Sequence, residues 1–339
     1  MKALLALVIS ILAFSAVAAE LDRDLLKAIG NDRTRWIAHS NGAEAKECFR
    51  VVDSEGNPLT NANIRCAFKV NAGASGLQDV YGVTDTNGLC MINGMCKAYM
   101  DYSVEKEGYY CSYGKVDYMG TTRVPAVIDG KWQPYGELRT VVLKIIKTPW
   151  SVKVLTGDQC HRQIPKFDSW LGFDFERGDW LPPFGIGKFE DVLVRFQSSV
   201  RKRNVDFTHV MEVSFTNNPY AGVYQMRKDP NSDLKSSHLA KTNAEFEAEL
   251  IYVQEKLPKM PRRWNFLDND SYLVFRTRTR VDDKGNLIGA HYGKIYGYWC
   301  SDDQEMTFCG GCFNQVENDP NIEGDQTLHY AIRNYKNKK

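Results

Sequence analysis

Three acidic residues, Asp174, Glu176 and Asp179, lie in a short aromatic stretch between Trp170 and Trp180. Two carboxylates beside an indole ring suit a glycoside hydrolase, in which one acts as the acid, the other as base or nucleophile, and the ring supports the sugar. Catalytic partners must face each other across a substrate. On a strand, however, Asp174 and Glu176 would lie side by side on one face.

The same stretch has two other interpretations. In the first it is a polar turn in which Arg177 is the ion-pair partner of the acids, an arrangement common on protein surfaces. In the second it is a sugar-binding edge, where Trp170 or Trp180 stacks on a ring and the carboxylates accept hydrogen bonds from hydroxyl groups. We favour the polar turn over catalysis.

The sharpest local motif is the C-x-x-C sequence from Cys309 to Cys312. Such a motif serves as a redox pair, as half of a zinc site or as a structural bridge. A redox pair needs its first sulfur at a helix N-terminus, but residues 306–308 and 313–316 have the composition of strands. We therefore expect Gly310-Gly311 to form a two-residue hairpin loop and the two cysteines to form a tight disulfide.

Two sets of residues are candidates for a metal ion. Cys300, with the C-x-x-C motif and either His291 or His329, could complete a zinc site. The last loop carries alternating side-chain oxygens that could converge on Ca²⁺; they belong to Asp319, Asn321, Glu323 and Asp325. This loop lacks the glycine of an EF-hand, so we favour an Asx-rich turn over a calcium site. For the C-x-x-C motif we favour the disulfide over zinc. We therefore expect no cofactor.

Cys90 and Cys96 flank Asn93-Gly94, which is a strong hairpin signal. A two-residue loop would put the two cysteines on opposite faces, whereas a three-residue loop over 92–94 would make them direct partners in a disulfide. The chain has nine cysteines. Most should be paired if the protein is exported, and the odd number leaves at least one free or paired elsewhere.

The N-terminus has the features of a signal peptide, because Lys2 precedes an apolar run from Ala3 to Phe14 and small residues lead up to Ala19. The run is shorter than the roughly 20 residues that span a bilayer, so we expect cleavage and no remaining membrane anchor. No cysteine follows the cleavage region until Cys48, so no lipid anchor is indicated. The sequence predicts a secreted or periplasmic protein.

Charge argues against a nucleic-acid partner. Residues 1–19 contain one basic residue and no acidic residue, so the processed chain has as many Lys and Arg as its 42 Asp and Glu. Phosphate binding needs a clustered surplus of positive charge.

Strands are the elements expected to position these residues. A short helix over 21–29 should end at Gly30, within an N-terminal segment 20–45. Over 46–147, short runs of alternating apolar residues are separated by turns, and seven or so strands in about 100 residues make one β-sandwich. Thr148-Pro149 is the expected hinge to a larger antiparallel β domain over 150–335.

Within that second domain, residues 272–281 and 287–300 should form a long hairpin around the turn at 282–286. The segment 246–252 is ambiguous. Thr242 with Glu245 fits a helix capping box, whereas the alternation of apolar residues fits a strand, which we favour. We therefore predict an all-β protein with a short N-terminal helix and two β domains.

Four phrases also carry a resemblance to a known family, namely Val51–Leu59, Ala62–Ile64, Thr84–Gly88 and Tyr102–Tyr110. They resemble the carboxypeptidase regulatory-like domain, a transthyretin-like or Ig-like sandwich, over about residues 46–147. The resemblance implies a non-catalytic companion domain used for stability, spacing or adhesion. The cysteines at 90, 96 and 111 depart from the family's common pattern.

The phrase from Leu171 to Pro183 resembles sequences of uncharacterised secreted bacterial proteins, without a functional implication. We therefore expect an exported, non-catalytic binding or structural protein of the adhesion type, with a glycan or an envelope or surface protein as its partner. The alternative is a carbohydrate-active enzyme that uses two of Asp174, Glu176 and Asp179.

Overall fold

The computed structural model describes residues 27–71, 76–215, 218–265, 267–268, 270–308 and 310–324. It confirms the all-β class, since the described residues form several mostly antiparallel sheets of a sandwich fold. The chain forms two compact units. The first runs up to Leu143 and includes Asn231–Asp233, and the second contains Lys144–Pro230 and the chain from Leu234 onward.

The first unit begins with helical residues 27–30 and then helix α1 (Arg33–Asn41). The predicted helix over 21–29 falls largely outside the described residues, and α1 was not predicted. Its sequence has no apolar stripe; instead, tertiary hydrogen bonds hold it, because the Arg35 guanidinium donates to the carbonyls of Met119 and Thr121 at 2.8 and 2.7 Å. Asp32 caps its N-terminus by accepting from the N–H of Thr34.

Two sheets make up the sandwich of the first unit. One has the order β4-β1-β8-β7 with β9 parallel to β1, and the other has the order β3-β2-β5-β6. The strands are β1 (Ala43–Val52), β2 (Asn63–Lys69), β3 (Leu77–Val83), β4 (Leu89–Cys96), β5 (Tyr99–Glu105), β6 (Ser112–Asp117), β7 (Val127–Ile128), β8 (Lys131–Trp132) and β9 (Glu137–Val142). Phe49, Phe68 and Trp132 are fully buried in the core of this unit.

The predicted hairpin at Asn93-Gly94 is wrong. Strand β4 runs without a turn from Leu89 to Cys96 and pairs along its length with β1. Gly94 is required for another reason: a Cβ there would lie 2.7 Å from the ring of Phe68. Cys90 and Cys96 are therefore six residues apart on one strand, roughly 20 Å, and both are free thiols.

The second unit contains fourteen described strands in three sheets with the orders β10-β23-β20-β19-β16, β11-β22-β21 and β13-β12-β14-β15-β17-β18. The strands are β10 (Val152–Leu155), β11 (His161–Gln163), β12 (Trp170–Asp174), β13 (Asp179–Trp180), β14 (Val192–Lys202), β15 (Asp206–Ser214), β16 (Gly222–Arg227), β17 (Glu249–Lys256), β18 (Arg263–Trp264), β19 (Ser271–Val281), β20 (Leu287–Ile295), β21 (Trp299–Ser301), β22 (Glu305–Phe308) and β23 (Gly311–Asn314). Two 3₁₀ turns, at residues 149–151 and 157–160, flank β10.

The predicted hairpin β19–β20 is confirmed, and its turn closes as the N–H of Asp282 donates to the carbonyl of Asn286 at 2.9 Å. The choice of strand for the ambiguous segment is also confirmed from Glu249 onward, as strand β17. The predicted hairpin around Gly310-Gly311 is wrong, because β22 and β23 belong to different sheets. Cys312 is a free thiol, so the predicted disulfide of the C-x-x-C motif is wrong as well. The other member of the motif, Cys309, lies outside the described residues.

No helix in the described ranges is long and apolar enough to cross a membrane. The signal peptide predicted over 1–19 lies outside the described residues.

Candidate functional site

The structure brings two of the three predicted acidic residues together around an arginine that the sequence did not indicate. Asp174 ends β12, and Glu176 lies in the turn that leads to β13. Their ion-pair partner is Arg278 of β19, not Arg177. A further carboxylate, Asp191, reaches the same guanidinium from the residue before β14.

Asp174, Glu176, Asp191 and Arg278 form what we call the Arg278 cluster. Arg278 donates from Nη1 to Glu176 at 2.6 Å, from Nε to Asp191 at 2.8 Å and from Nη2 to Asp174 at 3.2 Å. Its guanidinium carbon lies 4.1 and 4.4 Å from the ring centroids of Phe189 and Phe313, within cation–π range. Only 15% of the Arg278 side chain is exposed, so water screens these contacts weakly.

Arg278 reaches the three acids because strand β19 is irregular there. The pairing of β19 with β20 shifts register between Thr277 and Arg280, and Arg278 has a left-handed backbone with φ of 48°. An L-residue rarely adopts this conformation unless its surroundings hold it, and strained residues cluster at functional or tightly constrained sites. Here the contacts of the guanidinium supply that constraint.

Protein donors also occupy the other carboxylate oxygens of the cluster. Asp174 Oδ2 accepts from the N–H groups of Lys188 and Phe189 at 2.8 and 3.2 Å. Asp191 Oδ2 accepts from the N–H of Phe175 at 2.8 Å, and Glu176 Oε1 accepts from the Gln315 amide at 3.0 Å. For Asp191, burial outweighs the bonds from Arg278 and Phe175 and raises the pKa of its carboxyl. In general, however, hydrogen bonds to the ionised form of a carboxylate oppose its protonation.

The electrostatics of Glu176 agree with this interpretation. Burial by itself raises the pKa of its carboxyl, but hydrogen bonds from Arg278 and Gln315 outweigh burial and bring the pKa below its usual range. The general acid of a glycosidase needs the opposite shift, since it must carry a proton near neutral pH. The cluster therefore has the chemistry of a structural ion-pair network.

Asp179 and Trp180 are engaged elsewhere in the fold. Asp179 accepts from the N–H groups of Trp180 and Ile186 at 2.9 and 3.1 Å. Trp180 is only 3% exposed, and its indole N–H donates to the carbonyl of Gln163 at 2.9 Å. The prediction of Trp180 as a stacking platform is therefore wrong, because a buried ring cannot meet a sugar.

Trp170 does remain accessible, with 44% of its surface exposed. It lies directly opposite Arg195, which lies opposite Glu212, which in turn lies opposite Ile251. These four residues form a line across one face of the six-stranded sheet, which we call the Trp170 row. The Arg195 guanidinium carbon lies 5.0 Å from the Trp170 ring centroid, and its Nε donates to Glu212 at 2.7 Å.

The calcium prediction is wrong for its three described members, because their side chains contact other groups of the protein. Glu323 is fully buried, pairs with the ammonium of Lys294 and accepts from the Tyr296 hydroxyl at 2.9 Å. Asp319 accepts from the Thr148 hydroxyl at 2.6 Å, and the Asn321 amide donates to backbone carbonyls. Asp325 lies outside the described residues.

The zinc set does not assemble among its described members. Burial raises the pKa of the Cys312 thiol to about 12, and its sulfur lies 2.8 Å from the Tyr296 hydroxyl. His291 Nδ1 lies 3.1 Å from the carbonyl oxygen of Asn314. Across the described ranges no group of three or more His, Cys, Asp or Glu residues is arranged to hold a metal ion. Cys309 and His329 fall outside these ranges.

A second buried polar network surrounds Glu323, and it was not predicted from the sequence. Besides Glu323, the Lys294 ammonium donates to the Ser236 hydroxyl and the Ser237 carbonyl at 2.7 and 2.9 Å. A signal existed in the sequence: Lys294 continues the inward alternation of Ala290 and Tyr292 on β20. A charge at an inward strand position predicts a buried partner.

No family model and no curated protein matches the sequence. Among solved structures the chain is similar to 3-chlorocatechol 1,2-dioxygenase from Rhodococcus opacus 1CP, with a TM-score of 0.25 and 13% identity over 31% of this chain and 61% of that one. It is also similar to catechol 1,2-dioxygenase from Acinetobacter sp. ADP1, with a TM-score of 0.24 and 13% identity over 32% of this chain and 54% of that one. Its similarity to invasin, a bacterial integrin-binding protein, has a TM-score of 0.16 and 12% identity over 81% of this chain and 55% of that one. The chain thus spans less than two thirds of each of these proteins, and TM-scores this low carry no argument about function.

Proposed function

We propose that this protein is an exported, non-catalytic binding protein that recognises a polysaccharide through the Trp170 row. The observation that carries the proposal is the exposed indole of Trp170 in line with the Arg195–Glu212 ion pair. An indole stacks on the apolar face of a sugar ring, while a guanidinium and a carboxylate exchange hydrogen bonds with its hydroxyl groups. Export rests on the N-terminal sequence pattern.

The resemblance of residues 46–147 to carboxypeptidase regulatory-like domains supports the same proposal. Such a domain is a non-catalytic companion, so the first unit would position the second unit on the cell envelope. An envelope protein as the ligand of the Trp170 row is the competing outcome. The flatness expected of one sheet face favours an extended polymer over a small molecule, because small-molecule sites are concave.

The test compares two tryptophans of the same sheet. The processed protein is titrated onto insoluble polysaccharides and a glycan array, with Trp170→Ala as the perturbed variant and Trp264→Ala as the control. Trp264 is 60% exposed but pairs with Gln254, whose side chain lies on the opposite face of the sheet from Ile251. We expect Trp170→Ala to weaken binding about tenfold, the scale of one lost stacking contact, and Trp264→Ala to retain it.

If Trp170→Ala and Trp264→Ala lost polysaccharide affinity equally, the assignment of the site to this face would be contradicted. If the protein bound an envelope protein and no glycan, the ligand would be a protein instead of a polysaccharide. Glu212→Gln provides a second arm, because it removes the ion pair but keeps a hydrogen-bonding group. We expect a smaller loss than for Trp170→Ala.

The alternative, a carbohydrate-active enzyme, has less support. Arg278 engages both Asp174 and Glu176, while backbone N–H groups engage the other oxygen of Asp174 and the Gln315 amide engages that of Glu176, so neither presents a free acid or base. Loss of turnover in Glu176→Gln with an intact fold is the result that would favour this alternative.

A further inference from the structure

The second unit contains a pocket of about 370 Å³ whose described lining includes Ile251 of the Trp170 row and no member of the Arg278 cluster. Strand β16, at the edge of the five-stranded sheet, forms one wall, and strand β17 of the six-stranded sheet forms another. Val223 and Glu247 close one side by exchanging backbone hydrogen bonds at 2.9 and 2.8 Å. The pocket is thus a gap between the edge strand β16 of one sheet and strand β17 of another.

Apolar and acidic residues both line this pocket, and most of its surface is polar. Leu250, Leu273 and Tyr252 supply aliphatic and aromatic surface, while Glu247 and Asp268 are exposed acidic residues of the lining. Neither carboxylate forms a salt bridge with a Lys, Arg or His in the part of the chain that the structure describes. No cationic side chain is among the described residues that line the pocket.

The amide side chains of the lining have other partners. Asn265 accepts from the N–H of Val253 at 2.6 Å and donates to the carbonyl of Ile251 at 2.9 Å, so its amide continues the hydrogen bonding of the β17 edge. Gln225 donates its amide N–H to the Ser271 hydroxyl at 3.0 Å. The groups left to meet a ligand are therefore mainly acceptors, and a complementary ligand must be a donor.

The charge of Glu247 acts on the interior of the pocket. Burial raises the pKa of the Tyr252 phenol to about 12, and the nearby Glu247 carboxylate adds to this rise. Tyr252 therefore stays neutral near pH 7, and the pocket has a net negative charge. A cation entering it would be attracted by carboxylates that have no competing protein cation.

We propose that this pocket binds a primary ammonium group carried on an aliphatic stem. The ammonium would take three hydrogen-bond acceptors of the lining, including Glu247 and Asp268, and the stem would cover Leu250 and Leu273. The volume lies at the lower end of small-molecule sites. It suits one amine or one lysine side chain, and Ile251 is the one described lining residue that it shares with the Trp170 row proposed above as a glycan site.

The experiment uses three probes with the same five-carbon stem in calorimetric titrations of the full processed chain. We expect n-pentylamine to bind, n-pentanol to bind about tenfold more weakly because it lacks the charge, and pentanoate to show no binding. Affinity for the amine should fall as salt is added. Equal affinities for the amine and the alcohol would overturn the proposal, as would an absence of binding by all three probes.

Variants assign the binding to this pocket. Glu247→Gln and Asp268→Asn should each weaken amine binding about tenfold, since each removes one charge-assisted hydrogen bond. Both side chains are exposed, and Asn at 268 keeps an oxygen for the N–H of Asp270, so folding should persist. Glu245→Gln is the matched control, because Glu245 is an exposed acid of the same segment outside the described lining. Equal effects of Glu247→Gln and Glu245→Gln would overturn the assignment.

Two further probes distinguish the sources of the amine. Nα-acetyl-lysine methylamide represents a lysine side chain of a polypeptide, and glucosamine represents an amino sugar whose ammonium lacks a free stem. We expect the lysine derivative to bind like pentylamine and glucosamine to bind more weakly. Trp170→Ala should leave the affinity for pentylamine unchanged, so failure of the glycan proposal and failure of this one remain distinguishable.

Discussion

Replacing Arg278 with Met would leave three carboxylates without their cation. Asp174 and Asp191 are fully buried, and the Glu176 side chain is 23% exposed. Removing one partner of a buried ion pair costs roughly 3–5 kcal/mol, because a buried charge is left uncompensated. For a unit of this size each kcal/mol corresponds to about 2–4 °C in Tm. We therefore expect Arg278→Met to lower the Tm of the second unit by about 10 °C at pH 7.

The size of this loss should depend on pH. In the native protein the pKa of Glu176 is below its usual range, so its contribution to stability is present above the unfolded pKa and is lost only as pH falls through the folded pKa. Without Arg278, the bonds from Gln315 and from the Phe175 N–H still oppose burial but the contribution of the arginine is lost, so the pKa of Glu176 should rise and that of Asp191, which burial already raises, should rise further. The folded variant then binds protons more readily than the unfolded chain, so lowering pH from 7 towards 4.5 should stabilise it relative to the native protein.

The assay is urea unfolding of the native protein and the variant at pH 7 and pH 4.5, with Arg280→Met as the control. Arg280 lies two residues further along β19 and pairs with Glu317 in an exposed position, so its loss should change little. The reasoning is refuted if the two variants have similar midpoints, or if the deficit of Arg278→Met is the same at both pH values.

Three further outcomes follow from buried groups. Burial, together with nearby lysines, lowers the pKa of His238 to about 4. Between pH 6.5 and 4 the unfolded chain therefore binds more protons than the folded one, so the free energy of unfolding should fall by up to about 3 kcal/mol as the pH is lowered over that range. The variant His238→Phe should flatten the pH profile of Tm. Lys294→Met should destabilise the folded protein by roughly 3–5 kcal/mol, and adding Glu323→Leu should restore most of that loss. Chemical denaturation would contradict this if the double variant were less stable than Lys294→Met alone. Gly94→Val should cost about 1–3 kcal/mol by overpacking Phe68, and an unchanged unfolding midpoint would show that the ring is free to move aside.

Features set by neighbouring residues could be predicted from the sequence. The loop from Asp282 to Asn286 closes by hydrogen bonds within five residues, since the Asp282 carboxylate accepts from the N–H groups of Lys284 and Asn286. Its geometry is therefore encoded locally, and the prediction of the β19–β20 hairpin succeeded. The alternation of apolar residues likewise predicted the all-β class.

Features set by distant contacts were predicted wrongly from the same kind of local signal. Asn93-Gly94 fits a tight turn, but the glycine is there because the ring of Phe68, from another strand, packs against it. Arg177 was the nearest cation to Glu176 in sequence, whereas the partner in the fold is Arg278, 102 residues away. A single sequence provides no information about which of two arginines a folded chain brings to an acid.

The Arg278 cluster also separates stability from function in a way that one substitution can test. Glu176 accepts from Arg278 and Gln315, contacts that stabilise its ionised form and suit an ion pair better than a proton donor. Glu176→Gln removes the charge and keeps the size of the side chain. If the protein binds glycans through the Trp170 row, this variant should be less stable and should bind polysaccharide as the native protein does. Unchanged stability with a lost turnover of polysaccharide would instead assign Glu176 to catalysis.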